Sequence, residues 1–152
     1  MVQHSCDLFL THGWRYHEDW TKAAEMLDNI AELSWRNFSV PWHDPAMDAN
    51  SEVGGQFIRE WLETQIIPVD AVILLAGVYR IGSARKWLDL ELEYAAKHKK
   101  IVIGLPAIGG DIDTFPADLR NRVVAVGPWG GVQLIEIIEA QLAGRRQVDP
   151  LA

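Results

Sequence analysis

The least interrupted apolar stretch of the chain is Ala71-Val72-Ile73-Leu74-Leu75-Ala76, with no polar residue on either side of its alternation. A run of that kind reads as a parallel strand buried on both faces. At about 100° per residue, the helix that follows groups Leu88, Leu92 and Ala95 on one face and turns Asp89 and Glu93 toward water. Glu91 falls at the edge of the apolar face, between Trp87 and Ala95. Upstream, Asp7-Leu8-Phe9-Leu10-Thr11 begins as a short strand and breaks at His12-Gly13-Trp14. The spacing of Trp20, Ala24, Leu27 and Ala31 predicts a helix from about His17 to Leu33. Phe38-Ser39-Val40 reads as a second strand stopped by Pro41, and Phe57, Ile58, Trp61, Leu62 and Gln65 mark a helix over Glu52 to Ile67 that Pro68 ends. Two further strands, Ile101 to Leu105 and Val123 to Val126, precede a last helix from Gly131 to Leu142.

Strands alternating with helices predict a three-layer α/β sandwich of the flavodoxin-like type, a five-stranded parallel sheet in the order 2-1-3-4-5. With 152 residues the chain is read as one domain over 1–152, with its core at about 5–143 and a short C-terminal tail. In that strand order the switch point lies between the first and third strands. The ligand crevice is therefore expected between Thr11 to His17, Ala76 to Ser83, and the helix that carries Glu91. An acid beside an aromatic ring, one turn along a helix that follows a central strand, stands where such sheets bind ligands.

Composition narrows the function. Apolar residues make up 49% of the chain, which excludes disorder, and no segment approaches the roughly 20 apolar residues of a membrane span. The N-terminus lacks a signal peptide's basic and apolar regions, so a soluble cytoplasmic protein without a membrane partner is expected. A formal charge of −7 argues against a nucleic-acid groove, since phosphate binding needs clustered Lys and Arg. The one basic cluster, Lys97-His98-Lys99-Lys100, sits where a helix C-terminus favours positive charge. Cys6 is the only cysteine, which leaves no internal disulfide and no multi-Cys zinc site. His12, His17, His43 and Asp44 are not at ligand spacing on a shared element, so no metal is expected. The stretch Pro41 to Ser51 is long for a compact domain and carries Trp42 and Met47, which makes it a candidate contact loop.

The turn after the first strand separates the nucleotide-binding families that share this architecture. Thr11-His12-Gly13-Trp14-Arg15 is neither a P-loop nor a dinucleotide glycine fingerprint, and it lacks the hydroxyl run that wraps a flavin phosphate. A receiver domain would need an Asp where this chain has Ala76-Gly77. Asp7-Leu8-Phe9-Leu10-Thr11-His12, by contrast, resembles the first box of TIR domains. The segment from Ser34 to Pro45, Ser-Trp-Arg-Asn-Phe-Ser-Val-Pro-Trp-His-Asp-Pro, is similar to the second-strand signature of the Thoeris ThsB TIR-like family. Ala76-Gly77-Val78-Tyr79, Ser83, Trp87-Leu88-Asp89-Leu90-Glu91 and Val126-Gly127-Pro128-Trp129 continue the resemblance over nearly the whole chain. One departure is the spacing of Ser83 and Trp87, which enclose Ala84-Arg85-Lys86 where many TIR domains have a single residue.

The resemblance implies NAD as substrate, no further cofactor, and cleavage of the bond between nicotinamide and ribose, with Glu91 as the catalytic carboxylate. Substrate-binding positions would be Thr11, His12, Gly13, Trp14, Arg15, Trp42, Ala76, Gly77, Ser83 and Trp87. It further implies a small nucleotide signal in anti-phage defence, read by a separate effector protein, and self-association through the 41–51 loop. Two other readings compete: a TIR-like scaffold for protein association without turnover, and a nucleoside-processing hydrolase or transferase whose Glu attacks the sugar.

Overall fold

The computed structural model describes residues 4–12, 18–31, 33–39, 52–79, 82 and 85–148. Strand β1 is His4–Leu10, helix α1 Glu18–Asp28, strand β2 Leu33–Asn37, and helix α2 Glu52–Ile66. Strand β3, Ala71–Leu75, runs directly into a single helical turn, α3, at Ala76–Tyr79. Helix α4 at Arg85–Lys97, strand β4 at Ile101–Leu105, strand β5 at Ala125–Val126 and helix α5 at Gly131–Val148 complete the order. All the pairings are parallel, in the order β2-β1-β3-β4-β5, so the predicted sheet is the observed one.

The alternation of side chains along each strand divides the core into two layers. Leu8, Leu10, Ile73, Leu75, Ile103 and Leu105 face α1 and α5, where they meet Trp20, Leu27, Leu134 and Ile138. Phe9, Val72, Leu74 and Val102 face α2 and α4, against Ile58, Leu62, Trp87 and Leu92. Leu8, Phe9, Ile73 and Leu74 are fully buried, and truncating any one of them to Ala should cost about 2–5 kcal/mol. Gly104 interrupts apolar β4 for a steric reason: a Cβ there would stand 2.6 Å from the Phe115 ring, which lies on the strand.

Several boundaries differ from the pattern reading. Helix α1 stops at Asp28, and a turn through Asn29 and Ile30 puts Ile30 against the core while Ala31 is exposed. Strand β2 is Leu33–Asn37 rather than Phe38 to Val40. It is an edge strand in which Ser34 and Arg36 point outward, so it shows alternation and no apolar run. Arg36 forks onto Asp7, its register partner in β1, through Nε at 2.7 Å and Nη2 at 2.6 Å. Strand β5 keeps only Ala125–Val126 of the four residues read there. The chain before it forms the 3-10 turns Ile112–Thr114 and Ala117–Arg122, and Val124 is left exposed. Helix α5 continues past Leu142 to Val148.

Helix α4 ends in a left-handed residue. Lys99 has φ 56°, its N–H donates to the Ala96 carbonyl at 3.1 Å, and the Lys100 N–H donates to the Ala95 carbonyl at 2.8 Å. This pairing is the Schellman arrangement, in which the left-handed position suits glycine. A side chain there costs about 1 kcal/mol. Lys99→Gly should therefore raise the melting temperature by about 2–4 °C in thermal denaturation. A lower melting temperature would mean that contacts of the Lys99 side chain outweigh the backbone cost.

Candidate active site

The carboxyl ends of β1 and β3 are joined by Thr11. Its N–H donates to the Ile73 carbonyl at 3.0 Å, and its hydroxyl oxygen accepts the Leu75 N–H at 3.0 Å. The side chain thus extends the pairing one residue past the strand, which explains a fully buried threonine at this point. His12 then leaves the sheet, and its backbone N–H needs an acceptor from another element. Glu91 supplies one: its Oε2 accepts the His12 N–H at 3.2 Å from the second turn of α4.

Glu91 lies deeper than the helical spacing implies. It is fully buried rather than at the edge of the apolar face, and the buried side of α4 is Trp87, Leu88, Glu91, Leu92 and Ala95. The acceptor duty toward β1 draws it in. Asp89 is half-buried, accepting a bond from the Tyr79 hydroxyl at 3.2 Å, and Glu93 is exposed as expected. Trp87 is buried one helical turn before Glu91, and the Lys86 ammonium stands 5.1 Å above its ring.

The His12 imidazole is 1% exposed and tilted against the Phe9 ring, with centroids 5.4 Å apart. Its Nδ1 stands 3.6 Å from Glu91 Oε1, too far for a hydrogen bond. Burial pushes its pKa down from 6.5 to about 3, so the ring is neutral at physiological pH. Cys6 is equally unsuited to chemistry, since burial first, and then Asp70, Asp7 and Glu139, push its thiol up to about 12.

Thr11, His12, Ala76, Gly77, Trp87 and Glu91 accordingly gather around the ends of β1 and β3 and the first turns of α4. Gly13, Trp14, Arg15, Trp42 and Ser83 lie outside the described residues, as do His17, His43, Asp44 and the 41–51 loop. Asp19 is a residue that the pattern reading missed. It sits in the first turn of α1, is 5% exposed, and accepts the Ile108 N–H beyond β4 at 3.2 Å. A polar residue directly before the core-facing Trp20 was its only trace in the sequence. Among the described residues no three His, Cys, Asp or Glu side chains gather to hold a metal ion. A cavity of about 270 Å³ lies elsewhere, beside β5, lined by Ile112, Asp113, Arg120 and Val123 to Val126. No buried ionisable group lines it, whereas Glu91 and His12 are buried at the carboxyl end of β1.

The neutral His12 sets a pH dependence of stability. Its folded pKa lies below the unfolded value, so the unfolded chain binds the extra proton between pH 6.5 and about 3. Its contribution is complete above pH 6.5 and is lost as pH falls, by at most about 1.4 kcal/mol per pH unit. Urea unfolding at pH 7, 6 and 5 should show this slope in the wild type and a shallower one in His12→Asn. Equal slopes would contradict the account of a neutral, desolvated imidazole.

Residues 9–109, about two thirds of the chain, match the family described as Thoeris protein ThsB, TIR-like domain. No curated protein matches the sequence. The matched stretch starts in β1 and ends just after β4, and it contains Thr11, His12, Asp19, Gly77, Trp87 and Glu91. The chain belongs to the Thoeris ThsB TIR-like family.

Proposed function

We propose that this protein consumes NAD in Thoeris anti-phage defence, breaking the nicotinamide–ribose bond with Glu91 as the essential carboxylate. The observation that carries the reading is a carboxyl group one helical turn from a buried tryptophan, at the switch point of the sheet. When the C1′–N bond breaks, its electron pair neutralises the pyridinium nitrogen and positive charge develops on the ribose. A nearby carboxylate stabilises that oxocarbenium-like state. Nicotinamide departs as a neutral ring and needs no proton, which suits a site whose histidine carries none at pH 7. Water as the nucleophile gives ADP-ribose and a proton, whereas a nucleophile within the substrate gives a cyclic ADP-ribose, one water lighter, and likewise releases a proton. A product of either kind is a small nucleotide that a separate effector could read.

One observation favours a second reading. Glu91 is fully buried and caps the His12 N–H, which a TIR-like scaffold without turnover would also require. Nicotinamide release at high protein concentration separates the two. The wild type should release it, and Glu91→Gln, which keeps the acceptor shape and removes the charge, should release it about 100-fold more slowly or less. Glu93→Gln, on the exposed face, should stay within twofold of wild type. Turnover by Glu91→Gln close to wild type would remove the assignment, equal losses from both variants would indicate a fold effect, and no wild-type turnover would leave the scaffold. A covalent glycosyl adduct in mass spectrometry would favour direct attack by the Glu.

Self-association through the 41–51 loop completes the proposal, because a subunit with its carboxyl group buried needs a rearrangement before NAD reaches it. Specific activity should rise with protein concentration, and Trp42→Ala should flatten that rise while leaving the melting temperature within about 2 °C. Full turnover by a strictly monomeric sample would discard the assembly requirement.

A further inference from the structure

The first turn of α1 reaches the carboxyl ends of β2, β3 and β4. Trp20 donates from its indole nitrogen to the Ser39 hydroxyl oxygen, 3.3 Å away beyond β2, and both residues are buried. Asp19, its neighbour, points to the other side. Its Oδ2 accepts the Ile108 N–H at 3.2 Å, beyond the end of β4. The same carboxyl group lies against Gly77, the second residue past β3. A Cβ built on Gly77 would stand 2.1 Å from Asp19 Oδ2 and 2.6 Å from its Cγ. No side chain fits at position 77 while Asp19 holds its place.

A carboxyl group buried in this way is costly unless it has partners; the Ile108 N–H is one of them, and the Gly77 backbone packs against the same group. Pro106, two residues before Ile108, is held from the opposite direction by the Trp129 indole N–H at 2.8 Å. The loop beyond β4 is therefore fixed at two points, and the carboxyl group that makes the first of them lies against the Gly77 backbone. Gly77 follows the strand beside which the crevice of this sheet type opens.

We infer that Asp19 is a positioning residue of the ligand crevice, holding the Gly77 and Ile108 backbones at the ends of β3 and β4 while Glu91 stands at the end of β1. The inference rests on the NAD-cleaving reading for its substrate and on the Asp19 contacts alone for its geometry. A residue that shapes the wall without touching the reacting atoms acts on substrate affinity and leaves the chemical step intact.

Two measurements on the full chain test it: backbone amide hydrogen exchange at Ile108, and kcat and KM for NAD. Asp19→Ala should speed Ile108 exchange at least tenfold and raise KM at least tenfold, with kcat within threefold of wild type. Asp19→Asn, whose side-chain oxygen can accept the same bond, should stay within threefold on every quantity. Asp19→Ser serves in place of Asp19→Ala where the alanine variant does not fold. Gly77→Ala should raise KM in the wild-type background and do so far less beside Asp19→Ala, because the added methyl then occupies the vacated space.

Unchanged Ile108 exchange and KM in a folded Asp19→Ala protein would overturn the inference. So would a fall in kcat at constant KM, which would place Asp19 among the reacting groups, or equal damage from Gly77→Ala in both backgrounds. An absence of NAD turnover in the wild type would defeat the functional reading instead. The clamp would then stand or fall on Ile108 exchange and on non-additive urea stabilities of Gly77→Ala and Asp19→Ala.

Discussion

The bond from the His12 N–H to Glu91 is the contact on which the site depends, because it joins the end of β1 to the second turn of α4 across the top of the sheet. The constraint behind it is general. A strand that ends inside a protein leaves a backbone donor that must find an acceptor, and an unpaired one costs roughly 1–3 kcal/mol. Here the acceptor is a carboxyl oxygen. The sheet therefore fixes Glu91 against β1, and α4 can present it only while Trp87, Leu88, Leu92 and Ala95 hold the helix on the core. Among the described residues no buried side-chain nitrogen or oxygen lacks a partner, so the polar groups at this edge are as fully matched as the apolar ones below them.

The same edge shows how a fold can hold two acids in its interior. Glu91 meets the end of β1, whereas Asp19 meets the segments after β3 and β4. Each carboxyl group accepts a main-chain N–H, and the histidine between β1 and α4 is kept neutral by burial. A histidine that is neutral at pH 7 has no proton to give a leaving group, which suits the proposed reaction, in which charge is stabilised and no proton is delivered.

Much of this was legible in the sequence, and the particular residues show why. The Ala71 to Leu75 run and the strand Ile101 to Leu105 are buried on both faces, so their apolar continuity predicted both strands directly. Strand β2 lies ahead of the segment its pattern suggests, because an edge strand alternates and Phe38 with Val40 is more apolar than Ser34 and Arg36. Strand β5 is shorter than its apolar pattern: Val123 and Val124 resemble strand residues, and the Val124 N–H reaches the Val102 carbonyl, but only Ala125 and Val126 are in register with β4. For the site, helical spacing placed Glu91 on the right side of α4 but not at its true depth, since depth is set by the His12 N–H of a distant element. Asp19 carried no periodic signal at all. Its role comes from the closeness of Gly77 and Ile108, which sequence separation hides.

In the proposed reaction Glu91 faces the ribose of NAD at the carboxyl edge of β1 and β3. A crystal structure of the full chain with a non-hydrolysable carbocyclic NAD analogue tests it most directly. The account predicts the cyclopentane ring that replaces the nicotinamide ribose within hydrogen-bonding distance of the Glu91 carboxyl group, with Gly77 on the crevice wall. An analogue bound at the amino edge of the sheet, or in the cavity beside β5, would contradict it.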